Sequence, residues 1–230
     1  MATHFEAHGR AIVLGRSTES QVYALFALAM ALTCVGVFVG MQFAGAIFAS
    51  GMHIPLVILE LIVIFTAGFW MERSPLNIFL FALFPVLSGI TVTPYLMAVI
   101  AAYANGGMIL LNALISTAAM AGAAALFART TSMDLSVFSR ALLMGLIGLI
   151  VVGILQLFIP SLRGTSVELL VSGFAVVLFA VFTAVDVQRL QQMSRLGGNP
   201  FMLALRLYLD IFNLFLSIVR FMVAISGNRR

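Results

Sequence analysis

Lysine is missing from the 230 residues; all twelve basic side chains are arginines. A retinal-type Schiff base and any catalysis through a lysine amine are therefore excluded. Cysteine occurs once, at Cys34, so neither an internal disulfide nor a cysteine metal cluster can form. The three histidines, His4, His8 and His53, lie outside the long apolar runs, which leaves no histidine metal site inside a membrane. Charge is scarce, at 9% of residues, against about 25% in soluble domains. The short alternating segments of a membrane β-barrel are absent as well.

What is present is apolar length. Hydrophobic residues make up 63% of the chain, and runs of about eighteen or more recur from end to end, more than one soluble core can use. The fold class is an all-α polytopic membrane protein. Seven spans are expected, at roughly 22–49, 54–71, 76–95, 99–128, 138–159, 165–189 and 201–223. The breaks fall at "SGMHIP", "MERSP", "TPYL", "ARTTSMD", "IPSLRGTS" and "RLGGNP", where charge, Gly and Pro cluster. Residues 1–21 are too polar for a signal-peptide core and read as a tail before an uncleaved first span; residues 224–230 read as a short basic tail. No internal repeat or soluble insertion is visible.

The net charge of +4 comes from arginines at segment ends, so it speaks of membrane orientation and not of a nucleic-acid partner. With the N-terminus in the cytoplasm, Arg10, Arg16, Arg73, Arg129, Arg140, Arg189 and Arg195 lie inside, and Arg163, Arg220, Arg229 and Arg230 lie at the outer end. Seven against four favours that orientation, although the terminal "GNRR" fits it poorly. The arginine-only basic set and the lack of targeting signals suggest a bacterial inner membrane.

Three carboxylates fall inside apolar spans: Glu60 in "LVILELIVIF", Asp186 in "FTAVDVQRL" and Asp210 in "LYLDIFNLFLSIVR". Each costs about 2.5–3.5 kcal/mol near a bilayer centre, so it must face a bundle interior, a cavity or a partner. The two aspartates are placed symmetrically. Asp186 lies twelve residues before Gly198 and Asp210 twelve after it. In an antiparallel helical hairpin they sit at equal depth, up to about 18 Å from the turn. Two charges about 4 Å apart repel by about 4 kcal/mol at an effective dielectric of 20, so one shared proton is the natural state. Either the pair is a latch that loosens when the proton leaves or a cation replaces it, or it is a protonated pair that ties two helices together.

The last span carries Arg206, Asp210, Asn213, Ser217 and Arg220 at spacings of 4, 3, 4 and 3, which put them on one narrow face. Such a stripe is one wall of a polar pathway, or a set of hydrogen bonds to other helices with Arg220 snorkelling outward. Arg206 is one turn from Asp210, within reach of it. Glu60 is either a third cavity carboxylate or a protonated packing residue. Glu72 and Arg73 read as a solvated boundary from which Arg73 reaches the aspartates. Asp134 reads as an N-cap and Glu168 as a solvated residue at the start of span six.

The stretch "LYLDIFNLFLSIVRF" resembles the last-span signature of the transmembrane Bax inhibitor motif family. "SGITVTPYL", "MDLS" and Asp186-x-Gln188 resemble its pattern in the same order, from about residue 20 to 222. The resemblance implies six helices around a central seventh and a pH-sensitive calcium leak. It also implies that Asp186 and Asp210 match the family's pH-sensing aspartates, and that Glu60, in "ILE", matches its cavity glutamate. Arg73 in "FWMERS" stands near the family's latch arginine, one residue displaced. Arg206 departs from the family, which has a small polar residue there.

Three functions compete on this reading. The first is a proton-gated leak for calcium, the transported ion, with Glu60, Asp186, Asp210 and Asn213 supplying the several oxygens a hard cation needs; no cofactor is called for. The second is a regulator of another membrane protein, such as a quality-control protease, packed through small-residue faces such as "AGAAALFA". The third is an intramembrane aspartyl protease. Against it, Leu207, Tyr208 and Leu209 stand where that class has Gly-x-Gly before the aspartate, and no Pro-Ala-Leu motif exists.

Overall fold

In a computed structural model, which describes residues 17–226, the described residues are almost all in helices joined by short turns. Among the described residues, six helices are long and apolar enough to cross a membrane. They are α1 (Thr18–Gln42), α5 (Leu76–Ala102), α6 (Gly106–Thr130), α7 (Ser139–Phe158, entered through a 3-10 turn at Leu135–Phe138), α8 (Thr165–Arg195) and α9 (Pro200–Ile225). Between α1 and α5 lie α2 (Ala44–Ala49), α3 (His53–Phe65) and α4 (Ala67–Trp70). The tail segments 1–16 and 227–230 are outside the described residues. Helix α1 begins at Thr18, taking in the last four residues of the expected tail, with the Ser17 side chain accepting from the Ser20 N–H.

The second span is built differently from the others. At 13 residues, α3 reaches only about 20 Å at 1.5 Å per residue, against about 30 Å of hydrocarbon. A break at Thr66 separates it from α4. The break exposes the last carbonyls of α3, and side chains take them up: Thr66 Oγ1 donates to Ile62 O at 2.6 Å, and Trp70 Nε1 reaches back to Val63 O at 3.0 Å.

The expected break at "TPYL" is not there. Helix α5 runs through both Pro85 and Pro94 and ends only at Tyr103, whose N–H bonds Val99 O at 3.3 Å. Proline is tolerated inside a membrane helix when hydroxyls and neighbouring helices satisfy the freed backbone groups. Thr93 Oγ1 donates to Gly89 O at 2.8 Å, one residue before Ile90, whose carbonyl is the one that Pro94 leaves without its helical N–H.

Helices α1 and α5 cross with their backbones nearly touching. "GVFVG" sets Gly36 and Gly40 one turn apart, facing Gly89 and Thr93 on α5. A Cβ added at Gly36 would lie 2.2 Å from Val86 O, and one at Gly89 would lie 2.2 Å from Thr33 O. This is the close approach that small residues four apart permit in a membrane.

The hairpin α8–α9 carries the acidic residues. Helix α8 stops at Arg195, and two residues on Gly197 takes a φ of +76°, which only glycine adopts without cost. The Gly198 N–H then closes on Met193 O at 2.8 Å, the bond that satisfies a helix C-terminus at such a turn. Asn199 caps α9 by accepting from the Phe201 and Met202 N–H groups, and Pro200 supplies a preset first residue. The same asparagine donates to Met71 O at 3.0 Å, tying the turn to the end of α4. Helix α9 packs against α1, α5, α6 and α8 and contributes to all three hydrophobic clusters; α3 lies against α5, and α7 against α8.

Asp134 caps the 3-10 turn before α7: its carboxylate accepts from the Ser136 N–H at 3.0 Å, and that bond holds the carboxyl below the usual aspartate range. A lowered folded value contributes stability above the ordinary aspartate range and loses it as pH falls through the lowered value. Asp134→Ala should therefore melt earlier than the parent at pH 7, and the difference should close on acidification. Detergent-solubilised thermal unfolding at several pH values reads this; a gap that persists at acid pH would show that the carboxylate is not its source.

Candidate functional site

The structure brings Asp186 and Asp210 together. The antiparallel pairing of α8 with α9 places their side chains in hydrogen-bonding contact, and each residue is only 8% exposed. Asp210 Oδ2 is buried and finds no protein donor among the described residues. Arg189, one turn after Asp186 on α8, bonds it with Nη1 at 3.2 Å from Oδ1. Arg206, on α9, is exposed and acts electrostatically on both carboxyls but makes no ion pair of its own among the described residues. The arginines acting on the pair thus come from the hairpin itself. Arg73 is exposed beyond α4 and is not among the charges that act on either aspartate. Arg189 was legible as an i,i+3 partner of Asp186, but its place at the end of an expected span made it look like a boundary charge.

Glu60 does not join them. It sits on α3, which packs on α5, and α5 supplies its donors: Ser88 Oγ to Oε1 at 2.5 Å and Thr91 Oγ1 to Oε2 at 2.7 Å. No cluster of three acidic, histidine or cysteine groups able to hold a metal exists among the described residues. The expected grouping of Glu60 with Asp186 and Asp210 is therefore not found among the described residues: Glu60 stands on α3 against α5, apart from the aspartate pair. Near Ser88 a further hydroxyl pair lies deeper, where Tyr208, fully buried, bonds Thr33 Oγ1 at 2.8 Å.

Two cavities meet the polar stripe of α9. One, of about 680 Å³, lies at the end away from the hairpin turn; Glu60, Ser88, Thr91, Asn213, Ser217 and Arg220 are on its wall. The other, of about 350 Å³, lies at the hairpin end; Glu72, Arg189, Asn199 and Arg206 are on its wall. The buried aspartate pair belongs to neither lining and stands on the stripe between Arg206 and Asn213. The stripe does not bond neighbouring helices at its middle. Asn213 Nδ2 donates to Leu209 O at 2.8 Å and Ser217 Oγ to Asn213 O at 2.7 Å, both within α9.

Glu168 and Arg220 correct another expectation. Neither is simply solvated: Arg220 Nε and Nη2 bind Glu168 Oε1 and Oε2 at 2.7 and 3.1 Å, a two-pronged pair joining the start of α8 to the last turns of α9. The pair neutralises the one arginine on the larger cavity, and Glu60 is left there as a carboxylate without a cationic partner among the described residues.

Gln188 holds the turn before α7. Its Oε1 accepts from the Leu135 N–H at 2.7 Å and its Nε2 donates to Met133 O at 2.8 Å. "MDLS" and Asp186-x-Gln188, distant in sequence, are therefore one contact in space, which sequence spacing alone does not reveal.

A family model described as "Inhibitor of apoptosis-promoting Bax1" matches residues 15–228. Protein Cj0236c of Campylobacter jejuni is 34% identical over 205 residues, covering 86% of this chain and 84% of its own length. Inner membrane protein YbhL of Escherichia coli is 31% identical over 181 residues, 75% of this chain and 72% of its own. A membrane protein of Streptococcus pyogenes, SpyM3_0260, is 31% identical over 170 residues, 71% and 70% of the two chains. With the match spanning nearly the whole helical body and the hairpin that carries the aspartates, the chain belongs to the Bax inhibitor-1 family of polytopic membrane proteins.

Proposed function

We propose that this protein is a proton-gated leak for cations, with calcium as the transported ion and the Asp186–Asp210 pair as the gate. The observation that carries the reading is the position of that pair: buried on a polar stripe, with a cavity at either end. The larger cavity holds Glu60 as its unpaired charge, so it concentrates cations. Asn213 has given its amide nitrogen to Leu209 O, which leaves its oxygen for the cavity. A cation then meets oxygens in succession and not in one cage, which suits conduction, where each site must bind weakly enough to release. With one proton shared, the pair holds α8 to α9. Once it is lost, two adjacent negative charges repel and the hairpin loosens.

The hairpin end faces the cytoplasm in this reading. Arg129, Arg189, Arg195 and Arg206 gather there, with the start of α1, where Glu19 pairs with Arg129. The N-terminus is then cytoplasmic, and the membrane is a bacterial inner membrane, as for YbhL.

Purified protein in calcium-loaded liposomes tests the gate. Flux should rise across pH 5 to 8, and Asp186→Asn and Asp210→Asn should each lose that response. Unchanged flux and pH response in both variants would remove the gate. A protease is disfavoured by Arg189, which already binds one of the carboxyls that would have to activate a water. One observation favours a regulator of another membrane protein: the "AGAAALFA" face of α6 is uncovered at Gly122, where an added Cβ meets nothing within 4 Å. A partner that co-purifies at fixed stoichiometry from the aspartate variants would speak for that role.

A further inference from the structure

We infer that Arg206 is a tethered cation that fills the hairpin-end mouth of the polar stripe and limits how readily a free cation passes. The inference rests on the leak reading and deepens it. Arg189 and Arg206 both line the 350 Å³ cavity, but their situations differ. Arg189 is committed to Asp186 at 3.2 Å. Arg206 is exposed, acts on both aspartates and is bonded to neither. Glu72, also exposed and also on the cavity wall, is the other acidic group at this mouth and has no ion pair among the described residues. Arg206 therefore stands among three carboxylates and is locked to none.

A positive charge in that place does two things. It supplies Glu72 on the cavity wall, and the two aspartates outside the lining, with the counter-charge that a mobile cation would otherwise provide. It also repels any cation that has passed the aspartate pair. The larger cavity has no such charge, because its arginine is neutralised by Glu168. The stripe is thus electrically asymmetric, attractive at the Glu60 end and blocked at the Arg206 end. This makes Arg206 a specificity-determining residue: its charge, more than its shape, sets cation passage.

Two measurements on the full chain test this, with Arg206→Gln and Arg206→Lys. Arg206 is exposed, so both variants should fold; elution as a single peak in detergent checks that. The first measurement is terbium binding, read as luminescence sensitised by the protein's only tryptophan, Trp70, two residues before the cavity-lining Glu72. Arg206→Gln should bind terbium on the order of tenfold more tightly than the parent, from removal of one like charge, and Arg206→Lys should match the parent. The second is calcium flux in liposomes, where Arg206→Gln should leak several-fold faster and Arg206→Lys should not. Unchanged terbium affinity in Arg206→Gln overturns the inference, as does equal tightening in Arg206→Lys. Faster flux in both variants would assign the block to shape and overturn it too. Tighter terbium binding with no flux in parent or variants would instead overturn the leak reading and leave the charge assignment supported.

Discussion

Gly89→Val is expected to yield no stably folded protein. A Cβ at residue 89 would stand 2.2 Å from Thr33 O and 2.8 Å from Gly36 Cα, both backbone atoms, so no side-chain rotation relieves the clash. Helices α1 and α5 would have to separate. With them would go the contacts of Thr33 with Tyr208 and of Thr93 with the α1 backbone at Val37 O, 3.4 Å away. Overpacking against side chains costs about 1–3 kcal/mol; against backbone the cost exceeds that range, enough to remove most of the stability of a marginally stable fold. Gly122→Val is the control, because nothing lies within 4 Å of its added Cβ. Yield of the monodisperse peak and unfolding temperature in detergent measure both. A Gly89→Val protein that melts like the parent would mean that the α1–α5 crossing is not as close as described.

Asp210→Asn should abolish the pH response of the leak and leave it closed. The carboxylate and the amide have the same shape. The amide N–H donates to Asp186 as a shared proton would, but it cannot be titrated away. The parent loses that proton as pH rises, and two charges about 4 Å apart then oppose the closed hairpin by about 4 kcal/mol at an effective dielectric of 20, about three powers of ten in an equilibrium. The amide removes this repulsion at every pH. Asp186→Asn is not its mirror image. It strips Arg189 of its partner at 3.2 Å and leaves Asp210 beside two arginines. Its pH response should also be lost, but its closed state should be less stable than that of Asp210→Asn. Calcium flux from pH 5 to 8, with unfolding temperatures of both variants, separates the cases. An Asp210→Asn protein whose flux still climbs with pH would sink the gate.

Much of the fold was written along the chain. Scarce charge and long apolar runs determined a polytopic helical membrane protein, because hydrocarbon admits no unsatisfied backbone. The symmetric spacing of Asp186 and Asp210 about Gly198 determined their equal depth, because a helical hairpin converts residue count into length. The polar stripe of α9 followed from 3.6-residue periodicity. Pro94, by contrast, read as a break and is none, since only neighbouring packing and hydroxyls decide whether a membrane helix tolerates proline.

Tertiary structure alone decided the partners. Glu60 looked like a third ligand beside the aspartates, yet Ser88 and Thr91 of α5 claim it, because α3 packs on α5 and not on the hairpin. Glu168 and Arg220, 52 residues apart, looked solvated singly and are a pair. Gln188 meets Leu135 across 53 residues, and Gly36 meets Gly89 at backbone distance. Sequence periodicity assigns each residue to a face and a depth. Which face of another helix it meets depends on how the helices are arranged around one another, and no local pattern encodes that.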